Sequence, residues 1–182
     1  KYYPRDDMRY LGHRIREFCG SNDGTIWFGT EDKGLFHFNP ADGTVTPFHH
    51  PALYHNIHGL CIDGDYLWAG TFAGGLNRIH LRTREVRHYE KGEASNTLNA
   101  YNIFSIYKSS TGELWIGTTD DFTRIPEMNK IFVYNILEDC HGKLWLATYS
   151  DGVFCYDLPQ DKWKQYTRNP DNPNSLPYNK CI

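Results

Sequence analysis

Gly112-Glu113-Leu114-Trp115-Ile116-Gly117-Thr118 is the stretch on which the reading of this chain turns. The same pattern stands three more times, as Gly24-Thr25-Ile26-Trp27-Phe28-Gly29-Thr30, Asp65-Tyr66-Leu67-Trp68-Ala69-Gly70-Thr71 and Gly142-Lys143-Leu144-Trp145-Leu146-Ala147-Thr148. Seven residues past the tryptophan, three of the units carry Gly34, Gly75 or Gly152, followed by Leu35, Leu76 or Val153. Upstream, each unit opens with two apolar residues three apart: Ile15 and Phe18, Ile57 and Leu60, Ile103 and Ile106, Val133 and Ile136. Self-similarity at a period of ~40 residues is the mark of a repeat architecture.

Each unit reads as four short strands. In the second, the strands are expected over Ile57–Ile62, Leu67–Thr71, Leu76–Leu81 and Glu85–Tyr89, joined by turns at Gly64-Asp65, Ala73-Gly74-Gly75 and Arg82-Thr83-Arg84. Gly, Asp and Asn supply the backbone conformations that tight hairpins need. Nothing shows a sustained helical period. Four-stranded antiparallel units in tandem predict an all-β chain of β-propeller blades.

The tryptophan spacing is uneven. Trp27 to Trp68 is 41 residues and Trp68 to Trp115 is 47, but Trp115 to Trp145 is only 30. The extra length of the second unit falls in the polar stretch Lys91–Asn99. In the third, Phe122-Thr123-Arg124-Ile125 stands where strand four belongs, while the Gly-Leu turn and strand three are missing. The third repeat therefore reads as truncated near 118–122, short of about eleven residues against the first spacing.

The whole chain of 182 residues reads as one propeller segment, 1–182, of about four repeats with cores near 27, 68, 115 and 145. Its closing stretch, Asn174-Ser175-Leu176-Pro177-Tyr178-Asn179, resembles Asn96-Thr97-Leu98-Asn99-Ala100-Tyr101-Asn102, the lead-in to the third unit, so a longer array is expected. The residues are 40% hydrophobic, 15% aromatic and 23% charged, with 19 Lys and Arg against 22 Asp and Glu, a net charge of −3. Nucleic-acid modules are usually basic, so no nucleic acid is expected for this segment. No apolar run approaches the ~20 residues of a membrane helix, so no membrane contact is expected for the segment either. The five cysteines, Cys19, Cys61, Cys140, Cys155 and Cys181, show no C-x-x-C spacing and argue against a zinc site or a disulfide framework.

The repeated residues resemble the two-component regulator propeller repeat, with its Asn-Ser-Leu-x-x-Asn lead-in, its Gly-x-Leu-Trp-Ile-Gly-Thr strand and its Gly-Gly-Leu turn. Gly112–Thr118 and Gly74-Gly75-Leu76 match it closely; Asp65-Tyr66 and Ala147 depart from it. The resemblance implies a fragment of a seven-bladed propeller in the periplasmic sensor region of an inner-membrane hybrid two-component protein, of the kind found in gut Bacteroidetes. It further implies a homodimer in the full sensor, an oligosaccharide as ligand, and control of polysaccharide-utilisation genes through histidine kinase, receiver and DNA-binding domains that this chain does not contain.

The candidate ligand site lies just before strand one of each blade, the innermost strand of a propeller. Aligned on the following apolar residue, these positions are His13-Arg14, His55-Asn56, Tyr101-Asn102, Ile131-Phe132 and Tyr178-Asn179. An aromatic or imidazole ring followed by an amide suits a sugar, by stacking and by hydrogen bonds to hydroxyls. The expected ligand residues are therefore Arg14, His55, Asn56, Tyr101 and Asn102, with Arg14 suited to an acidic sugar; the alternative is that the asparagines cap turns.

Other motifs carry less. His49, His50, His55 and His58 cluster without an acidic or cysteine ligand among them, so no metal is expected. The repeated tryptophans read as packing residues. Ser21–Trp27 only faintly matches a sialidase Asp-box, and no nucleophile elbow, phosphate loop or dinucleotide fingerprint is present. No enzyme and no cofactor are expected for this segment. Because propellers host many functions, a polysaccharide lyase or glycosidase, or a structural and dimerisation scaffold, are the competing readings.

Overall fold

Glycine or threonine stands in most of the turns between the described strands, and the strands fall between them. The structure, a computed structural model, describes residues 14–89, 100–119 and 132–182. The first blade comprises β1 (Ile15–Gly20), β2 (Ile26–Thr30), β3 (Leu35–Asn39) and β4 (Thr44–Phe48). The second comprises β5 (Ile57–Asp63), β6 (Tyr66–Thr71), β7 (Leu76–His80) and β8 (Val86–Tyr89). The third contributes β9 (Ile103–Lys108) and β10 (Leu114–Thr118). The fourth comprises β11 (Val133–Glu138), β12 (Lys143–Thr148), β13 (Val153–Asp157) and β14 (Lys162–Tyr166).

Three blades are four-stranded antiparallel meanders, and β9 and β10 pair as a two-stranded sheet. No helix occurs among the described residues. The expected strand-four residues Phe122–Ile125, and the expected break before them, lie outside the described residues.

The Gly-Thr pair of the repeat has two separate tasks. Thr30, Thr71 and Thr148 are buried, and each donates its backbone N–H and its hydroxyl to the carbonyl of the glycine four residues on, Gly34, Gly75 or Gly152. That double bond closes the turn between strands two and three. The glycines accept it with positive φ, 82°, 65° and 81°, a region an L side chain rarely enters.

The glycine before each threonine serves the next blade. A Cβ on Gly29 would stand 2.5 Å from Ile57 Cγ2, one on Gly70 would stand 2.8 Å from the Ile103 Cβ, and one on Gly117 would stand 2.8 Å from the Val133 carbonyl oxygen. The first apolar residue of each inner strand thus packs onto bare backbone of the preceding blade, and Ile57, Ile103 and Val133 are fully buried there. Burying such a side chain is worth about 1.5–3 kcal/mol.

The remaining core lies between blades. Trp27 and Leu35 pack with Ile57, Leu60, Leu67 and Ile79. Trp68 lies against Leu76, Ile103, Ile106 and Ile116, and Trp115 packs with Val133, Ile136, Leu144 and Phe154. Three of the four repeated tryptophans therefore join one blade to the next. Trp145 stacks on Tyr166 at 5.7 Å and donates its indole N–H to Asp139 over 2.8 Å.

Candidate functional site

The inner strands β1, β5, β9 and β11 lie beside one another in that order, so their entry residues recur around one mouth. In each blade the carbonyl of the entry residue accepts the N–H of the residue that follows the repeat threonine. The pairs are Glu31 to Arg14 at 3.0 Å, Phe72 to Asn56 at 2.9 Å, Thr119 to Asn102 at 3.3 Å and Tyr149 to Phe132 at 3.1 Å. Arg14, Asn56 and Asn102 are thus structurally equivalent, as their alignment predicted, and Phe132 occupies the same place in the fourth blade.

A third equivalent position sits beside these two. The pairing of β1, β5, β9 and β11 with their neighbours slips once, leaving Arg16, His58, Phe104 and Tyr134 as extra residues opposite no partner. A β-bulge of this kind re-aims one side chain out of the strand alternation. Here the bulged side chains meet across blade boundaries. His58 lies 4.6 Å from Phe104, and Phe104 lies 4.5 Å from Phe132 and 5.6 Å from Tyr134, ring centre to ring centre. Phe72 joins Phe104 at 6.0 Å, and Tyr149 stacks on Phe132 at 5.3 Å. Phe72 and Tyr149 keep 42% and 46% of their surface exposed, so the run offers ring faces to solvent.

The first blade fills the same positions with charge. Glu31 holds Arg16 at 3.0 Å and Arg14 at 3.8 Å. The neighbouring His58 is buried, and burial first, then the Arg16 charge, pushes its imidazole down to about 4 against the opposing pull of Glu31. At neutral pH it is an uncharged ring and continues the aromatic run.

His55 and Tyr101, also expected in the site, stand one residue outside this lattice. Their carbonyls accept the N–H of Gly34 and Gly75 from the turn of the preceding blade, both at 2.8 Å. Tyr101 is 52% exposed. The asparagines differ from each other. Asn102 is engaged within the chain, its Oδ1 accepting the Ala73 N–H at 2.8 Å and its amide donating to the Thr119 hydroxyl at 3.3 Å. The Asn56 Oδ1 is closed to solvent and has no partner among the described residues.

One alignment needs correction. Gly152 donates to the Asn179 carbonyl just as Gly34 and Gly75 do to His55 and Tyr101. Asn179 and Lys180, rather than Tyr178 and Asn179, therefore occupy the entry positions. Tyr178-Asn179 matches Tyr101-Asn102 in residue type, but with Asn174 set on Asn96 and no gap, Asn179 falls on Tyr101 and Lys180 on Asn102.

The histidine cluster is divided by the fold. His49, His50 and His55 line a groove with Gly34 and Phe48, whereas His58 faces the channel mouth. His50 Nδ1 accepts the Ala52 N–H at 3.2 Å, and among the described residues no three His, Cys, Asp or Glu side chains are grouped to hold a metal. All five cysteines are free thiols.

Residues 97–120 match the family model described as two component regulator propeller. A comparison with curated proteins finds no significant match. Among solved structures, the chain is similar to the extracellular domain of a B. thetaiotaomicron protein classed as a hybrid two-component system, at 24% identity and TM-score 0.74, covering 91% of this chain and 23% of that one. It is also similar to the extracellular domain of a protein classed as a one-component system from the same organism, at 18% identity and TM-score 0.60, covering 92% and 29%. A Niastella koreensis GH74 enzyme is similar at 15% identity and TM-score 0.68, covering 90% and 31%. The chain thus spans less than a third of the length of these proteins. One stretch of the chain, residues 97–120, is thus similar to the two-component regulator propeller repeat, and the chain as described is built of β-propeller blades.

Proposed function

We propose that this chain is part of the ligand-sensing propeller of an extracytoplasmic, periplasmic sensor region in a hybrid two-component system, and that it binds an oligosaccharide without transforming it. The observation that carries the proposal is the run of rings His58, Phe104, Phe132, Tyr134 and Tyr149, supplied by three successive blades at one mouth. Rings in series suit a ligand with rings in series, because each sugar face can cover one aromatic face. The match of residues 97–120 supports the two-component assignment, and the likeness to the two B. thetaiotaomicron extracellular domains agrees with it at the level of fold. In this reading the full protein is a dimer anchored in the inner membrane, and ligand occupancy controls genes for polysaccharide use.

Hydrolysis needs two carboxylates at matched positions. Among the described residues, the entry residues, the bulge residues and those that follow the repeat threonines offer one, Glu31, already tied to Arg16. Calorimetry of the full chain against a panel of oligosaccharides tests the proposal. A binder is expected that Phe104→Ala and Tyr149→Ala each weaken several-fold, since an aromatic contact is worth about 0.5–1.5 kcal/mol beyond its area. Release of new reducing ends from the same panel would point instead to an enzyme, and parental affinity in both variants would move the site elsewhere.

A further inference from the structure

The mouth is polarised. Blades two to four present rings, whereas blade one presents Arg14, Arg16 and Glu31 at the three equivalent positions. At these three positions one carboxylate faces two guanidiniums, which leaves one positive charge in excess there. The two arginines are held differently. Arg16 is 26% exposed and bonded to Glu31 at 3.0 Å, which fixes its plane; its Nε is closed to solvent and has no partner among the described residues. Arg14 is 77% exposed and lies 3.8 Å from the same carboxylate, a loose contact that leaves its donors available. Next to them His58 adds no charge of its own at neutral pH and begins the ring series.

A fixed guanidinium beside a freer one is a fork for a planar or tetrahedral oxyanion, which arginine binds through paired N–H donors. Resting on the sensor reading above, we propose that the ligand is an anionic oligosaccharide whose uronate carboxylate or sulfate ester docks on Arg14 and Arg16, with its sugar rings running along Phe72, Phe104 and the aromatic residues of blade four. Glu31 is then a positioning residue that orients Arg16 and keeps the empty site from trapping small anions.

The test is calorimetry of the full chain with three probes: oligogalacturonates, chondroitin sulfate oligosaccharides and neutral cello-oligosaccharides. At least one acidic probe is expected to bind more tightly than the neutral one and to weaken as salt is raised. Arg14→Gln and Arg16→Gln should each reduce that affinity about tenfold to a hundredfold, the range for losing a charged hydrogen bond, and Arg16→Lys should restore part of it. Arg14 is mostly exposed, so its variant should melt like the parent and reports binding alone. Tighter binding of the neutral probe, or acidic binding unchanged in Arg14→Gln and Arg16→Gln, would overturn the charge assignment while leaving the sensor reading in place. Failure of all three probes, together with a broader neutral panel, would overturn the sensor reading itself.

Discussion

Gly70 shows how much one missing side chain can decide. It stands in the middle of the repeat motif, and its bare Cα is the seat for Ile103 of the next blade. Gly70→Ala should destabilise the chain by about 1–3 kcal/mol, the usual cost of overpacking a filled interface, read as a lower denaturation midpoint. Ala147 stands at the equivalent position of the fourth blade and is only half-buried; Ala147→Gly should bring no such gain or loss from packing. His58 makes the second residue-scale prediction. Its folded pKa of about 4 lies below the ordinary value of 6.5. Between those values the unfolded chain binds a proton that the folded chain refuses, so stability falls as the pH drops from about 6.5 towards 4 and levels off below. The loss should reach about 2 kcal/mol at pH 5. Comparing the parent with His58→Phe by urea unfolding at pH 7 and pH 5 isolates this contribution: the variant's drop should be smaller, and equal drops would refute the assignment.

At the scale of the element, the strand-one bulge separates what could be read from what could not. The four strands of the second unit were legible because alternation and turn residues agree there, and β5 to β8 follow the expected bounds within two residues. The bulge residues Arg16, His58, Phe104 and Tyr134 were missed, although the signal was present. Ile57 and Leu60 are three apart, an odd spacing that puts residues of a regular strand on opposite faces, yet both lie in one core cluster. Ile103 and Ile106, and Val133 and Ile136, do the same. Only an inserted residue reconciles that spacing with one face. The asparagines were located by the same alignment, but sequence could not show that Asn102 is spent holding the Ala73 turn of one blade to Thr119 of the next. That bridge makes Asn102→Ala a stability variant: a loss of about 1–3 kcal/mol is expected from the unpaired groups it leaves. An unchanged melt with weakened oligosaccharide binding would return Asn102 to the ligand.

At the scale of the whole molecule, the interface between blades is the repeating unit of stability, and one copy of it is open. Ile57, Ile103 and Val133 are fully buried on the preceding blade, whereas Ile15, at the same place in β1, is 58% exposed, and Phe18 beside it is 69% exposed. Two large apolar side chains on an inner strand present the surface that another blade covers, and such a surface drives association in water. Strand edges left bare by an open array add unpaired backbone groups. Expressed alone, the 182-residue chain is therefore expected to self-associate. Sedimentation velocity across a concentration series should show mass rising above that of the monomer. Replacing both exposed residues, Ile15→Asp with Phe18→Asp, should shift the distribution back towards monomer without lowering the melting temperature, because neither side chain contributes much buried surface within the chain. A parent that sediments as a single monomeric species at every concentration would mean that the first blade's face is already satisfied and that four repeats close on themselves.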